Sequence, residues 1–342
     1  MNDIIKWGII GLGNVAHGFA KSFDNTKNAK LKAIASKSPD KLSKFKKEFN
    51  INSSNCYDDY GKLLNSSEVD IVYITLPNTF HFQWIKEAIN KDKKILIEKP
   101  AFLNFEQAQI IERKIEHKKI FFTEGFVYRY LPHISDIIKI IKEDEIGKLI
   151  SMESSFGLNL LTKKKLFFFE KKKKINPLGR LFNKELGGGC ILDLGCYPSS
   201  FSLLIASLIK NIDYKNFKIL NIKKDIGETG VDVDSSAVIK FEGDFTSIIK
   251  SSFKKDLGSQ SIIRGEKGSI TINDTWFGDA IKKNIGNITY EINKKSYSKV
   301  FSYEIESISK AILNDLKESP FPGMTLEETL LNTKILEEWL NG

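Results

Sequence analysis

The chain reads as an α/β protein in two parts. An N-terminal doubly wound parallel sheet with helices on both faces is followed by an α+β part built on a mostly antiparallel sheet. Three observations predict this. Up to residue 125 short apolar runs alternate with amphipathic stretches of helical period, and beyond residue 148 longer apolar–polar alternation takes over. The chain has 342 residues, 41% hydrophobic, 11% aromatic and 28% charged, enough for two hydrophobic cores.

In the first part the apolar runs are Ile4–Ile10, Leu31–Ala35, Ile71–Leu76, Ile95–Ile97 and Ile120–Thr123. Runs this short and this continuously apolar are strands buried on both faces. The segments between them, such as Pro39–Phe49 and Phe82–Asn90, carry helical period, so the order is β-α-β-α with right-handed crossovers. A helix is expected over Ala16–Phe23.

In the second part Ile150–Leu160, Phe217–Ile222, Asp232–Phe241, Phe245–Phe253, Ser259–Arg264 and Ser269–Asn273 alternate, as strands with one wet face do. Gly243-Asp244 and Gly265-Glu266-Lys267-Gly268 supply turns between successive runs. Two helical patterns close the chain, Tyr303–Leu316 and Thr325–Leu340, broken by Pro320 and Pro322. The domains are therefore 1–125 and 126–342, with the C-terminal helix free to pack back on the first.

The net charge of +9 comes from 52 Lys plus Arg against 43 Asp plus Glu. Only Arg113, Arg129, Arg180 and Arg264 are arginine, whereas nucleic-acid readers favour its bidentate fork, so nucleic acid is not expected as a partner. The densest run, Lys163–Lys165 and Lys171–Lys174 around Leu166-Phe167-Phe168-Phe169, reads as a solvated loop with a hydrophobic anchor. Cys56, Cys190 and Cys196 make neither a disulfide framework nor a metal signature, and His17, His117 and His133 do not cluster with acids. No metal is expected, and the compartment is reducing. No leader precedes the first strand and the apolar stretch Phe201–Ile209 is far shorter than a membrane span, so the expected address is the cytoplasm.

The first strand runs into Gly11-Leu12-Gly13-Asn14-Val15-Ala16, a Gly-x-Gly-x-x-Ala pattern at a strand-to-helix turn. Gly11 permits the tight turn, Gly13 lets backbone approach a pyrophosphate, and Ala16 lets the helix pack close, with the N–H groups around Asn14 and Val15 aimed at the anion. A dinucleotide site follows. The end of the second strand has no acid for a ribose 2′-hydroxyl; Ser36-Lys37-Ser38 and Lys41 stand there, offering hydroxyls and cations to a 2′-phosphate. NADP(H) is favoured over NAD(H).

At two further strand ends stand Thr75-Leu76-Pro77-Asn78-Thr79-Phe80-His81 and Glu98-Lys99-Pro100. Ligands of open α/β sheets bind outside those ends, so Lys99 is a placed cation, held by Pro100 and paired with Glu98, able to stabilise charge developing on a substrate oxygen. His81 either packs near the cofactor or touches it. Tyr128 and Arg129, just after the fifth strand, face a substrate or, for Arg129, pair with a carboxylate. Arg180 is the candidate for gripping an anionic or polyhydroxyl substrate.

These motifs, with Glu124-Gly125-Phe126-Val127-Tyr128-Arg129-Tyr130, Gly147-Lys148-Leu149-Ile150, Gly187-Gly188-Gly189-Cys190-Ile191-Leu192-Asp193-Leu194-Gly195-Cys196-Tyr197 and Arg264-Gly265-Glu266-Lys267-Gly268, resemble the Gfo/Idh/MocA family of NAD(P)-dependent oxidoreductases over nearly the whole chain. Tyr197, where branches acting on inositols often carry His, resembles the branch of dihydrodiol dehydrogenases, NADP-linked xylose dehydrogenases and glucose-fructose oxidoreductase. Leu76 inserted between Thr75 and Pro77, and the basic-aromatic segment Phe167 to Lys174 before Arg180, depart from the family pattern.

The resemblance implies a Rossmann domain, a second domain forming the substrate wall and commonly a dimer interface, and a cleft between them. It implies that Lys99 orients the substrate oxygen, Tyr197 exchanges the proton, and Asp193 holds the substrate or tunes the pair. Asp193 and Tyr197, four apart on a helix expected to begin near Ile191, would share a face, although a capping acid and a buried Tyr fit the same spacing. The phenol needs help, since it titrates near ~10 unperturbed and a nearby cation favours its ionised form. The expected protein is an NADP(H)-dependent oxidoreductase acting on a sugar or diol. The alternative is a cofactor-sensing relative without hydride chemistry.

Overall fold

A computed structural model of the chain describes residues 4–164, 170–278, 280–292, 297 and 299–342. The chain divides into two units, Met1–Tyr130 with Tyr297–Leu330, and Leu131–Ser296 with Leu331–Gly342.

The first unit holds β1 (Ile5–Ile10), α1 (Asn14–Ser22), β2 (Ala29–Ala35), α2 (Pro39–Glu48), β3 (Cys56–Tyr57), α3 (Tyr60–Leu64), β4 (Ile71–Ile74), α4 (His81–Asn90), β5 (Lys94–Glu98), α5 (Phe105–Lys118) and β6 (Phe122–Gly125). All six strands are parallel, in the order β3-β2-β1-β4-β5-β6. The five apolar runs are the four inner strands and the far edge; β3, with two residues, is too short to carry a period. One face of the sheet buries Ile10, Val72, Ile74 and Ile95 against Leu63, Ile85 and Ile111. The other buries Trp7, Ile9, Ile34 and Tyr73 against Phe19 and, from the far end of the chain, Ile305 and Ile308. Each such side chain removed from water contributes on the order of 1.5–3 kcal/mol.

The second unit holds α6 (Pro132–Lys142), β7 (Leu149–Gly157), β8 (Thr162–Lys164), β9 (Glu170–Lys172), α7 (Cys196–Ala206), β10 (Phe217–Ile226), β11 (Asp232–Phe241), β12 (Thr246–Ser252), β13 (Ser261–Gly265), β14 (Gly268–Ile272), β15 (Ile281–Ile285) and β16 (Ile288–Ile292). Its main sheet runs β10-β11-β12-β7-β13-β14-β15-β16. The alternating runs are its strands, and the two predicted turns join β11 to β12 and β13 to β14 as antiparallel neighbours. One pair departs: β12 lies parallel to β7, because the strand returns to a neighbour from much earlier in the chain. The hairpin β15–β16 carries too little apolar alternation to be read from sequence; Ile288 and Tyr290 are exposed. The basic strands β8 and β9 pair with each other, and the Leu166–Phe169 anchor between them lies outside the described residues.

After this sheet, α8 (Phe301–Leu313) returns to the first unit, where the indole of Trp7 donates to Ser309 Oγ at 3.0 Å. The last helix, α9 (Leu326–Asn341), begins in the first unit and ends in the second, where Trp339 donates to Ser235 Oγ at 2.8 Å. The expectation that nothing approaches a membrane span is corrected: Lys184–Ala206, 23 residues, is long and apolar enough by length and composition. Of its most apolar 18-residue window 94% is buried inside the protein, so that apolar surface is core.

Candidate active site

In the first unit the order of strands reverses between β1 and β4, and ligands of such sheets bind outside the strand ends at that point. The glycine turn follows β1 there. Gly11 has φ +92, and a Cβ would meet the Thr75 carbonyl at 3.0 Å, so glycine is required by conformation and by space. Thr75 Oγ1 donates to the Gly11 carbonyl at 2.7 Å, locking the turn to the end of β4. Gly13 precedes α1 without a side-chain cap, and nothing lies within 4 Å of where its Cβ would be. Asn14 and Val15 form the exposed first turn. Uncapped N–H groups beside open space are what a pyrophosphate needs, so these residues fit a dinucleotide.

At the end of β2, Ser36 is buried and its hydroxyl accepts from the Ser38 N–H at 3.1 Å. Ser38 caps α2, accepting from the Lys41 N–H. Their hydroxyls therefore also shape the loop that presents Lys37 and Lys41. Both lysines are exposed, with Lys37 Nζ 5.6 Å from the Tyr60 ring.

After β4, Asn78 is buried, and Leu76 and Pro77 are half-buried. His81 is fully buried, with Nε2 2.8 Å from the Leu76 carbonyl and Nδ1 3.0 Å from the Pro100 carbonyl. Lys99, half-buried, precedes Pro100 through a cis peptide at the end of β5. Glu98 accepts a hydrogen bond from the Tyr73 hydroxyl, a partner that the sequence, which paired it with Lys99, did not suggest.

Behind this loop lie buried acids. Glu124, on β6, accepts from the Ala101 N–H at 2.8 Å. Burial pushes its carboxyl up to about 7, against the Ala101 bond, Thr329 and Arg129, while Glu98 adds to the rise. Burial likewise raises Glu304 well above the usual range, with Glu98 contributing. Arg129 is 1% exposed and donates to both Glu328 oxygens at 2.9 and 3.0 Å and to the Pro322 carbonyl at 3.2 Å. Tyr128 is fully buried. Of the two readings of Arg129 the structure shows the carboxylate pair: burying a guanidinium demands such a partner, and Glu328, far off in sequence, supplies it.

In the second unit the glycine-rich loop leads into a π-helical turn, Ile191–Gly195, and then α7. The expected α-helix near Ile191 is therefore corrected to a wider turn, a form frequent at functional sites. Packing accounts for it. A Cβ on Gly188 would meet the Arg180, Leu181 and Asn183 carbonyls at 2.8 Å, and one on Gly189 would meet the Asp232 carboxylate at 2.3 Å. That carboxylate accepts from the Ile191 N–H at 2.6 Å, while Trp339 crowds Gly195. Arg180 Nη1 donates to Asp193 Oδ1 at 2.7 Å, with Asp193 largely buried and Arg180 exposed. The Tyr197 ring lies against Phe156 and Trp276, at centroid distances of 5.3 and 5.4 Å.

The structure brings the glycine turn, Thr75, Leu76, His81 and the Lys99–Pro100 loop together in one unit, and Arg180, Asp193 and the turn before Tyr197 in the other. Sequence reasoning missed Tyr73, Asp232, Glu304 and Glu328. An Asp opening an alternating strand was the one signal for Asp232. Glu124 stood in a recognised motif without a role. Among the described residues no group of three or more His, Cys, Asp or Glu is placed to hold a metal.

A six-stranded parallel sheet with a glycine turn at its switch point defines a dinucleotide-binding protein. Residues 5–126 match the oxidoreductase family GFO_IDH_MocA, NAD-binding Rossmann fold, and residues 134–271 match the GFO/IDH/MocA C-terminal domain. Together these cover more than half of the chain, which belongs to this oxidoreductase family. The chain is 26% identical to trans-1,2-dihydrobenzene-1,2-diol dehydrogenase of Xenopus tropicalis, over 98% of this chain and 97% of the relative. It is 25% identical to D-xylose 1-dehydrogenase (NADP(+)) of Hypocrea jecorina, over 78% and 72%. Its fold is that of the aldose-aldose oxidoreductase from Caulobacter crescentus crystallised with glycerol, at TM-score 0.84, 18% identity and coverage of 99% and 97%.

Proposed function

We propose that the protein is an NADP(H)-dependent dehydrogenase or reductase that moves hydride between nicotinamide and a CH–OH or C=O carbon of a sugar or related diol. The observation that carries this reading is Lys99, set at the end of β5 in the same bonded loop cluster as the glycine turn. The named relatives act on a diol and on xylose, the latter with NADP(+). Lys37 and Lys41, with no acid at the end of β2, support NADP(H).

The residues present fit the cofactor: Gly13 and the first turn of α1 would take the pyrophosphate, and Lys37 and Lys41 the 2′-phosphate. When bound, the nicotinamide supplies or accepts the hydride. In this reading Lys99 donates a hydrogen bond to the substrate oxygen and stabilises its developing charge, and Tyr197 gives or takes the proton. Asp193, oriented by Arg180, holds a substrate hydroxyl.

The reading also includes a cytoplasmic homodimer formed through the open face of the second unit's sheet. Leu220, Val238, Ile248, Glu153 and Ile262 follow one another in one register row on that face, four apolar residues and one acid, with Leu220 40% and Ile248 37% exposed. Light scattering should report a dimer, and Ile248→Lys a monomer.

The functional test is fluorescence titration with NADPH and NADH, followed by turnover on aldoses, inositols and diols at the nicotinamide absorbance. Tight NADPH binding with turnover on one class is expected. Binding without turnover on the whole panel would move the protein to a cofactor-sensing role, and preference for NADH would overturn the cofactor assignment.

A further inference from the structure

One peptide group in the first unit is gripped at both ends. The peptide between Pro100 and Ala101 has its carbonyl 3.0 Å from His81 Nδ1, and its N–H donates to Glu124 Oε1 at 2.8 Å. A peptide is a rigid plane, so holding both ends fixes its orientation. Lys99 lies immediately before it, on a proline whose φ is locked. The other side of the same imidazole, Nε2, is 2.8 Å from the Leu76 carbonyl. Leu76 follows Thr75, whose hydroxyl donates to the Gly11 carbonyl at 2.7 Å. The bonded groups thus run without a break across the ends of β1, β4, β5 and β6, four neighbours in the sheet.

We propose that His81 and Glu124 are positioning residues for Lys99, clamping the Pro100–Ala101 peptide between them and tying the lysine to the glycine turn as one frame. This rests on the role assigned to Lys99 above. Two physical facts support it. His81, Ala101 and Glu124 are each 1% exposed or less, so the bonds form where water does not compete and geometry is held hardest. And a long, flexible lysine gains directed reach from a fixed backbone, where a small misplacement of a catalytic group costs orders of magnitude in rate.

The test uses the full chain with Glu124→Ala, which removes the acceptor, Glu124→Gln, which keeps an acceptor oxygen, and His81→Gln. Lys99 reactivity is read by competitive acetic anhydride labelling and mass spectrometry, with exposed Lys62 as the internal reference. Turnover is read with NADP+ and D-xylose, or with the substrate the panel selects. Glu124→Ala and His81→Gln are expected to change the Lys99 labelling rate at least threefold with Lys62 unchanged, and to lower kcat at least tenfold. In Glu124→Ala, KM and the Kd for NADPH stay within threefold of wild type, and Glu124→Gln restores most of both signals. A purely structural loss would instead lower Tm without this kcat-against-KM split. If Glu124→Ala does not fold, His81→Gln and Glu124→Gln decide the question. Unchanged Lys99 labelling in the folded variants overturns the proposal even if the wild type is active. Altered labelling in a protein that turns over no substrate leaves the frame standing and rejects the assigned reaction.

Discussion

The guanidinium of Arg180 holds the carboxylate of Asp193 at 2.7 Å, joining an exposed arginine to an acid that is nearly buried. The pair closes the glycine-rich loop over the π turn that precedes Tyr197, so a residue 13 positions earlier sets the orientation of the acid. Arg180→Ala should therefore lower kcat/KM for the sugar or diol by about tenfold or more, since one charge-assisted hydrogen bond is worth roughly 1.5–3 kcal/mol, while NADPH affinity changes less than twofold. Steady-state kinetics beside a fluorescence titration checks this, and an unaltered kcat/KM would show that Asp193 needs no partner.

Gly13 and Gly188 separate a ligand requirement from a packing requirement. With nothing within 4 Å of its missing Cβ and φ of −93, Gly13→Ala should fold as stably as wild type yet weaken NADPH at least tenfold. Gly188→Ala drives a methyl to 2.8 Å from three carbonyl oxygens and should destabilise by several kcal/mol, of the order seen for overpacked cores. Thermal unfolding and cofactor titration of the two variants give opposite patterns.

Lys37 and Lys41 should discriminate between cofactors. Replacing both by Ala is expected to raise the Kd for NADPH about tenfold or more and leave NADH within twofold, because only the former carries the 2′-phosphate. Ser38→Ala removes the cap of α2 and should cost about 1 kcal/mol of stability whatever its effect on cofactor. Equal losses for the two cofactors in the double lysine variant count against the 2′-phosphate contact.

Stability should fall as pH rises from about 5 to 7. Glu124 keeps its proton in the folded protein up to about 7, whereas the unfolded chain releases it near 4.5. Between those values the folded state binds more protons, so raising pH favours unfolding; the full window is worth on the order of 3 kcal/mol. Glu304, raised in the same direction, extends the trend upward. Urea midpoints measured from pH 5 to 8 should decline, and Glu124→Gln should flatten the lower part of the slope. A midpoint that climbs with pH over this range in wild type would contradict the buried protonated acid.

Both layers of the fold were legible because their signals are local. Five buried strands of the first unit are short apolar runs, and six of the second alternate, so the burial of each residue is written in its neighbours. The glycine turn was legible for the same reason: the conformation at Gly11 and the space at Gly13 belong to one stretch of chain. The cation at Lys99 was placed by its position after a strand.

What tertiary structure alone decided are the partners. Arg129 with Glu328, Glu124 with the Ala101 N–H, Tyr73 with Glu98, and Asp232 with the start of the π turn each join distant segments, and no periodicity encodes which acid meets which donor. The parallel pairing of β7 with β12 and the return of α8 to the first sheet are of the same kind. Sequence by itself determined which segments bury their faces and where a phosphate and a cation would be presented, because those depend on local period and backbone freedom. The close packing of distant segments determined which polar groups go into the interior together, because a buried charge or N–H must find its partner wherever the fold brings one.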